Sequence, residues 1–352
     1  MNVRYEYRTL YEFCFELLER AGMDEDISRV ITETLLEGDL TGHTTHGLQL
    51  LAPYLNEIES GNMRTNGNPT VIRDNEYQIF WDGKNLPGPW LIHNALDTAF
   101  ERTNKHPVIT MLIKRSHHTA ALISYLKRAT DKNLAAVIFC SDPSVKSIAP
   151  FGGTEPVYTP NPIAVGIPSS GSPVLIDIST STTANGVISR YYNANKKLPG
   201  EWLLDNKGKS TDDPAAAFTE PPGSILPLGG MDLGYKGFAL GLMVEALTSG
   251  MAGYGRADKI TDWGASVLIQ VFNPEGFGGI DKFLRENDFI NSACRNNQPA
   301  DPNRPVRLPG EKALKLRDEQ LENGLTLEET IIPSLNDWAD KLNVPVPGPK
   351  KS

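Results

Sequence analysis

A chain of 352 residues with 39% apolar and 22% charged residues is long enough to bury one large core or two compact ones, and too apolar to be disordered. Its 34 Lys and Arg against 43 Asp and Glu give a formal charge of −9, which excludes the basic excess of a nucleic-acid binder. Three cysteines, Cys14, Cys140 and Cys294, are odd in number and share no short spacing, so neither a disulfide framework nor a cysteine zinc site is expected. The opening MNVRYEYRTL lacks the apolar centre of a signal peptide. The most apolar helical stretch, Phe238–Leu247, contains Glu245 and is too short to cross a bilayer. A cytoplasmic protein with no membrane partner is the expectation.

Leu10, Phe13, Leu17 and Leu18 recur at helical spacing, and Ile27, Val30, Ile31 and Leu35 mark a second helix with Asp24 as its N-cap. A third is expected from Thr44 or Thr45 through Leu48, Leu51, Tyr54, Leu55 and Ile58, ending at Ser60-Gly61-Asn62. Strand-like runs follow at Tyr77–Trp81, Val108–Ile113, Ala135–Phe139, Val174–Ile178 and Ser266–Phe272. Helical patterns sit between some of them, at Leu91–Glu101, Ala120–Ala129 and Lys236–Leu247, with loops at 141–163 and 194–234. After a loop at Asn296–Gly310, Lys312–Glu322 and Leu327–Leu342 read as helical, and the tail PVPGPKKS as frayed. The irregular strand spacing argues against steady βαβ alternation. The expected fold is α+β, with a mixed, largely antiparallel sheet at 71–304 and a helical subdomain built from residues 1–70 and 305–345.

Four of the six histidines fall in two clusters, Gly42-His43-Thr44-Thr45-His46-Gly47 and Ser116-His117-His118. Imidazole beside a hydroxyl at a helix start suits proton transfer; a capped helix with solvated histidines is the plainer alternative. A metal reading of His43, His46, His117 and His118 is disfavoured by the three-residue spacing, since helical metal pairs sit four apart with a glutamate between them. Lys236, between Gly234 and Gly237 at an expected helix start, would set a cation beside bare amides, an arrangement for a phosphate or carboxylate; a surface lysine is the alternative. Asp177-Ile178-Ser179-Thr180-Ser181-Thr182-Thr183 runs a buried strand into hydroxyls able to meet sugar or phosphate oxygens, or simply into a Ser/Thr turn. No G-x-G-x-x-G occurs, so any dinucleotide binds outside a Rossmann fold.

Taken in order, GHTTHG at 42–47, Ser116-His117-His118, Pro150-Phe151-Gly152-Gly153, Thr159-Pro160-Asn161-Pro162, DISTS at 177–181, Leu198-Pro199-Gly200-Glu201-Trp202, Thr211-Asp212-Asp213-Pro214, Tyr235-Lys236-Gly237 and Leu308-Pro309-Gly310-Glu311 resemble the malate/L-lactate dehydrogenase family of non-Rossmann fold, and most of all its hydroxycarboxylate dehydrogenase branch. The resemblance covers roughly 10–335. It implies an oxidoreductase that uses NAD or NADP to interconvert a 2-oxo acid and a 2-hydroxy acid, working as a homodimer with the site near the subunit interface. By the same resemblance His46 is the proton donor, His118 a second acid–base residue, and Thr45 and Asp177 hold the His46 ring. Ser141, Asp177, Ile178, Ser179, Thr180, Ser181, Tyr235, Lys236, Gly310 and Glu311 contact the dinucleotide, and Asn161 the substrate. Three departures stand out. Thr45 replaces the usual serine, Leu50 an arginine that grips the substrate carboxylate in many members, and Tyr158 and Pro160 alter a Gly-Thr-Asn-Pro loop. Two rival functions are a metal-dependent hydrolase on the four clustered histidines and a non-catalytic cofactor-binding paralogue.

Overall fold

The computed structural model describes residues 3–350. After a short strand β1 (Val3–Tyr5), helices α1 (Tyr7–Arg20) and α2 (Glu25–Leu40) turn the expected apolar faces inward, with Leu10, Leu17, Ile31 and Leu35 fully buried. Asp24 precedes α2 but its side chain makes no capping hydrogen bond; Glu25 and Asp26 in the first turn supply the favourable charge instead. The third helix starts later than the pattern predicts. Two 3₁₀ turns, Thr44–His46 and Leu48–Leu50, come first, and α3 spans Leu51–Glu59. Gly47, with φ −98° and ψ −140°, breaks the path between them.

Next come β2 (Thr70–Asp74), β3 (Gln78–Asp82), α4 (Gly88–Arg102), β4 (Val108–Ser116), α5 (Ile123–Thr130), β5 (Ala135–Ser141), β6 (Ile163–Ile167), β7 (Val174–Ile178) and α6 (Asn185–Asn193). Strands β2 and β6 and helix α6 have no counterpart in the pattern read from the sequence. The long loop at 194–234 contains a small sheet of β8 (Leu203–Leu204), β9 (Ser210–Thr211) and β10 (Ser224–Ile225). Helix α7 spans Gly230–Glu245, so Lys236 lies in its second turn rather than its first; Gly229, at φ 104°, lets the chain enter the helix early. The remainder is β11 (Ala265–Phe272), α8 (Ile280–Arg295), α9 (Glu311–Asn323), β12 (Leu325–Leu327) and α10 (Asn336–Leu342). Strand β12 and the loop after it replace the first half of the helix expected at 327–342.

The main sheet has the order β2-β3-β4-β11-β5-β6-β7 and is antiparallel except between β3 and β4. Strand β11, almost wholly buried, sits at its centre although it comes from late in the chain. A continuous apolar run has to be covered on both faces. The exposed edge β2 carries Arg73 and Asp74, charges that discourage pairing with another sheet. The chain ends meet: β1 pairs antiparallel with β12, Val3 opposite Leu327, and the Lys350 amide donates to Arg4 O at 2.7 Å. The tail is therefore anchored as far as the structure describes it, and its last two residues lie outside the described range.

Helix α4 begins against the turn that follows β4. A Cβ on Gly88 would stand 2.5 Å from His118 O and 2.8 Å from His117 O. Gly88→Ala is expected to destabilise the fold by about 1–3 kcal/mol through overpacking against backbone, measured by urea unfolding.

Candidate active site

Two turns, one from each histidine cluster, face each other. The first leaves α2 at Thr41 and carries His43 to His46. It rests on α2 backbone to backbone, because a Cβ on Gly38 would stand 2.9 Å from His46 O and one on Gly47 2.4 Å from the Asp39 carboxylate. From the other side α6 closes on it, with Gly186 against the Thr45 side chain and Arg190 Nη2 donating to Thr44 Oγ1 at 2.9 Å. Thr45 Oγ1 lies 2.9 Å from His46 Nδ1, leaving Nε2 without a hydrogen bond inside the described chain. Burial, with His43 close by, pushes the His46 imidazole down to about 4.

The second turn, Ser116–Ala120, follows β4. It is strained at both ends, with Arg115 at φ 51° and Ala120 at φ 55°, a cost that tends to gather at functional sites. Of the adjacent histidines, His117 points inward and is 1% exposed. Its Nδ1 accepts the His118 amide at 2.8 Å and its Nε2 sits 3.2 Å from Glu57 Oε2. His118 points the other way. Its ring stacks on His46 at a centroid distance of 5.7 Å and an interplanar angle of 22°, with Trp263 at 4.6 Å. Its Nδ1 accepts the Ala120 amide and lies 2.9 Å from the Tyr54 hydroxyl. An accepting Nδ1 leaves the ring proton on Nε2. Burial, then His46 and His117, hold the His118 imidazole well below its ordinary value.

The strand-end residues gather beside these turns. Asp177, at the end of β7, accepts the Ile123 amide at 2.8 Å and so caps α5. Burial raises its carboxyl; His43 and the Ile123 and Leu122 amides oppose the rise. Its ionisable neighbour is His43, and it makes no hydrogen bond to His46, whose ring is held by Thr45. Ile178 is 45% exposed on the sheet edge. The hydroxyls beyond it are used internally: Ser179 Oγ donates to Ser181 O, Thr180 Oγ1 to Pro160 O, and Ser181 Oγ to Thr183 O. Gly310, at φ 90°, packs its Cα against Leu175 of β7, and Leu175 donates its amide to Pro309 O. Glu311 is partly buried, yet the Leu308 amide and Arg295 hold its carboxyl below the usual range.

Ser141 and Asn161 meet at one acceptor. Glu245 Oε1 receives Ser141 Oγ at 2.8 Å, Asn161 Nδ2 at 3.0 Å and both Nε and Nη2 of Arg256. Asn161 adopts φ 43°, a conformation its side chain tolerates better than most, and its buried Oδ1 has no partner. The altered loop is built into the fold: the Tyr158 ring fills the space that Gly241 leaves open, and Pro160 serves through its carbonyl. Leu50 packs half-buried against the helical core. Tyr235 and Lys236 are exposed on α7, the Lys236 ammonium 5.9 Å from the Tyr235 ring centroid, and no carboxylate pairs with it among the described residues. Also among the described residues, no three His, Cys, Asp or Glu side chains converge as a metal-ligand set, and His43 and His117 turn to Thr41 and Glu57.

The fold thus joins His46, His118 and Thr45 in one cluster. It sets Asp177–Ser181 at the end of β7, Gly310 and Glu311 beside the start of that strand, and Ser141 and Asn161 beneath α7. Tyr54, Trp263, Glu57, Asp39, Arg190 and Glu245 escaped the sequence reading. They are common residue types in ordinary helical and loop patterns, and only proximity marks them.

Two stacked imidazoles, both held below the ordinary histidine range, thus stand beside an edge strand of a largely antiparallel sheet in an α+β protein. Residues 5–336 match the family model for malate/L-lactate dehydrogenase; the chain belongs to that family and is an oxidoreductase of the 2-hydroxyacid dehydrogenase type. It is 27% identical to a malate dehydrogenase of Pyrococcus abyssi over 97% of this chain and 96% of that one. It is 25% identical to hydroxycarboxylate dehydrogenase B of Escherichia coli O157:H7, over 97% and 95%. The crystal structure of malate dehydrogenase from Entamoeba histolytica superposes with a TM-score of 0.92 at 24% identity, covering 99% of this chain and all of that one, a likeness of fold. Among the described residues no helix is long and apolar enough to cross a membrane.

A histidine held near 4 in the fold and near ~6.5 when unfolded takes up its proton more readily in the unfolded state. It therefore lowers stability as pH falls from about 6.5 to 4, and adds nothing to the pH slope above that window. His46→Gln is expected to flatten this part of the stability–pH curve, measured by urea denaturation at intervals between pH 7.5 and 4.

Proposed function

We propose that the protein interconverts a 2-oxo acid and a 2-hydroxy acid with NAD or NADP, His46 moving the proton at the substrate oxygen. The observation that carries this reading is the pair of stacked, neutral imidazoles of His46 and His118, set beside the end of β7. The nicotinamide supplies or accepts the hydride when it is bound. The chain's own part is the proton and the placement. In oxidation, neutral His46 takes the hydroxyl proton at Nε2 while Thr45 fixes Nδ1; in reduction the imidazolium returns it. With the imidazole near 4 in the free protein, the charged form needs a nearby negative group, and a 2-oxo acid brings its carboxylate. Binding and proton uptake are then linked. His118, with its proton on Nε2, serves as a donor to the same substrate.

The residues suit a dinucleotide in a particular way. With the hydroxyls of Ser179, Thr180 and Ser181 spent on backbone carbonyls, the segment Asp177–Ser181 would hold a ligand by shape and backbone. Asn161, whose buried Oδ1 has no partner, stays the proposed substrate contact. Lys236, free of carboxylates, answers a phosphate or carboxylate. Ser141, Tyr235, Gly310 and Glu311 belong to the same proposed cofactor surface. Met231, Tyr235 and Leu242, which share one face of α7 and are each about half exposed, support a homodimer. We treat 1–70 with 305–345 as one helical subdomain beside the sheet domain, and the protein as cytoplasmic.

A panel of 2-oxo acids assayed by nicotinamide absorbance with NADH and with NADPH tests the reading; cofactor binding without consumption would instead mark a non-catalytic paralogue. His46→Ala should lower kcat by roughly 10²–10⁴-fold, the usual worth of a general acid–base, with cofactor affinity nearly unchanged. Turnover near wild type would remove His46 from the mechanism. Tyr54→Phe, which frees His118 Nδ1 of one partner, should cost about tenfold in kcat, one hydrogen bond's worth. Lys236→Ala should weaken cofactor or substrate binding, and unchanged binding constants would reduce Lys236 to a surface residue.

A further inference from the structure

The last turn of α2 and the turn bearing His46 are joined by one buried side chain. Asp39 is 1% exposed. Its Oδ2 accepts the Leu48 amide at 2.7 Å across the Gly38–Gly47 contact, two residues beyond His46. Its Oδ1 is buried and has no partner. The backbone beneath it is clamped from the other end of the chain: Gln320 of α9, itself 3% exposed, donates Nε2 to Asp39 O at 3.0 Å and to Leu40 O at 3.1 Å. A buried carboxyl with an empty oxygen is costly in a purely structural position. Its one hydrogen bond sets the path of the chain straight after His46.

We propose that Asp39 is a positioning residue for His46, acting through its hydrogen bond to the Leu48 amide, with Gln320 holding the α2 end that carries it. This rests on the reading of His46 as the proton-transfer group. The groups facing Asp39 are Arg190 of α6, Glu328 after β12 and the Cys14 thiol of α1. Burial pushes the Asp39 carboxyl up to about 8; Glu328 adds to the rise, while the Leu48 amide and Arg190 oppose it. The carboxyl therefore holds its proton to higher pH than an ordinary aspartate. Ionisation above about pH 8 sets an ill-compensated charge against Gly47 and disturbs the turn, so activity declines on the alkaline side.

The test is the full-length protein with Asp39→Ala and Asp39→Asn. Two readouts are followed: steady-state constants across pH 6–9.5, and NMR titration of the His46 ring, assigned by loss of its signal in His46→Gln. Asp39→Ala is expected to lower kcat by roughly tenfold to a hundredfold, the scale of a small misplacement, with cofactor KM little changed and the His46 titration moved upward from about 4. Asp39→Asn, which keeps the acceptor and cannot ionise, should restore both and abolish the alkaline decline. A His46 titration unmoved in Asp39→Ala, or an alkaline limb retained in Asp39→Asn, overturns the proposal. Should Asp39→Ala fail to fold, Gly47→Ala, which presses a methyl group on the carboxyl, must shift the His46 titration; no shift overturns it equally. If wild type turns over no 2-oxo acid while Asp39→Ala still moves the His46 titration, the positioning role stands and the proposed reaction falls.

Discussion

The contact on which the candidate site depends is between backbones, where the end of α2 meets the His46 turn at Gly38 and Gly47. A methyl group on either glycine would stand within 3 Å of backbone or of the Asp39 carboxyl, the one side chain that bridges the two segments. Such closeness leaves the turn few alternative paths, because protein interiors have almost no free volume into which to yield. The Leu48 amide, which the turn would otherwise bury unpaired, finds Asp39. The carbonyls at the end of α2 find Gln320, answering the usual difficulty of a buried helix terminus. A helix from the end of the chain thus supports the turn near its beginning, which gives the meeting of the two chain ends a local purpose.

Desolvation then sets the chemistry. His46, His117 and His118 all titrate below the ordinary range because burial penalises the charged ring. The nearest counter-charges, Glu57 for His117 and Asp177 for His43, lie off the His46–His118 axis. Burial therefore favours the neutral form of both rings. Arg115 and Ala120, both at positive φ, flank the turn that presents His117 and His118, and the Arg115–Asp82 ion pair, together with Gly88 packed on that turn, holds it.

Much of this could be read from the sequence, for definite reasons. Leu10 to Leu35 has a strong helical period and Ser266–Phe272 is rich in β-branched and apolar residues, so these elements stand where the pattern puts them. The GHTTHG and Ser116-His117-His118 clusters are conspicuous by residue type alone. What the sequence hid was short or polar. Strand β6 holds a glycine inside a proline-rich stretch, α8 buries little, and α6 starts among hydroxyls and glycine. The early start of α7 depends on two left-handed glycines that no apolar period reveals. Asp177 shows the same limit within the site: the family resemblance made it a partner for His46, and the fold sets its carboxyl on the Ile123 amide at the start of α5.

The sequence by itself determined the class of fold, the absence of a Gly-rich dinucleotide fingerprint and the two histidine turns, since these follow from local period, composition and residue type. Tertiary structure alone decided that those turns face each other, that Tyr54 and Trp263 enclose His118, and that Asp39 and Gln320 hold the turn behind His46. Such pairings are properties of distance, and the partners lie 64 residues apart for Tyr54 and His118 and 281 for Gln320 and Asp39. At those separations nothing in the local pattern of the chain distinguishes a contact from its absence, and only the packing of the whole core brings the groups within hydrogen-bond reach.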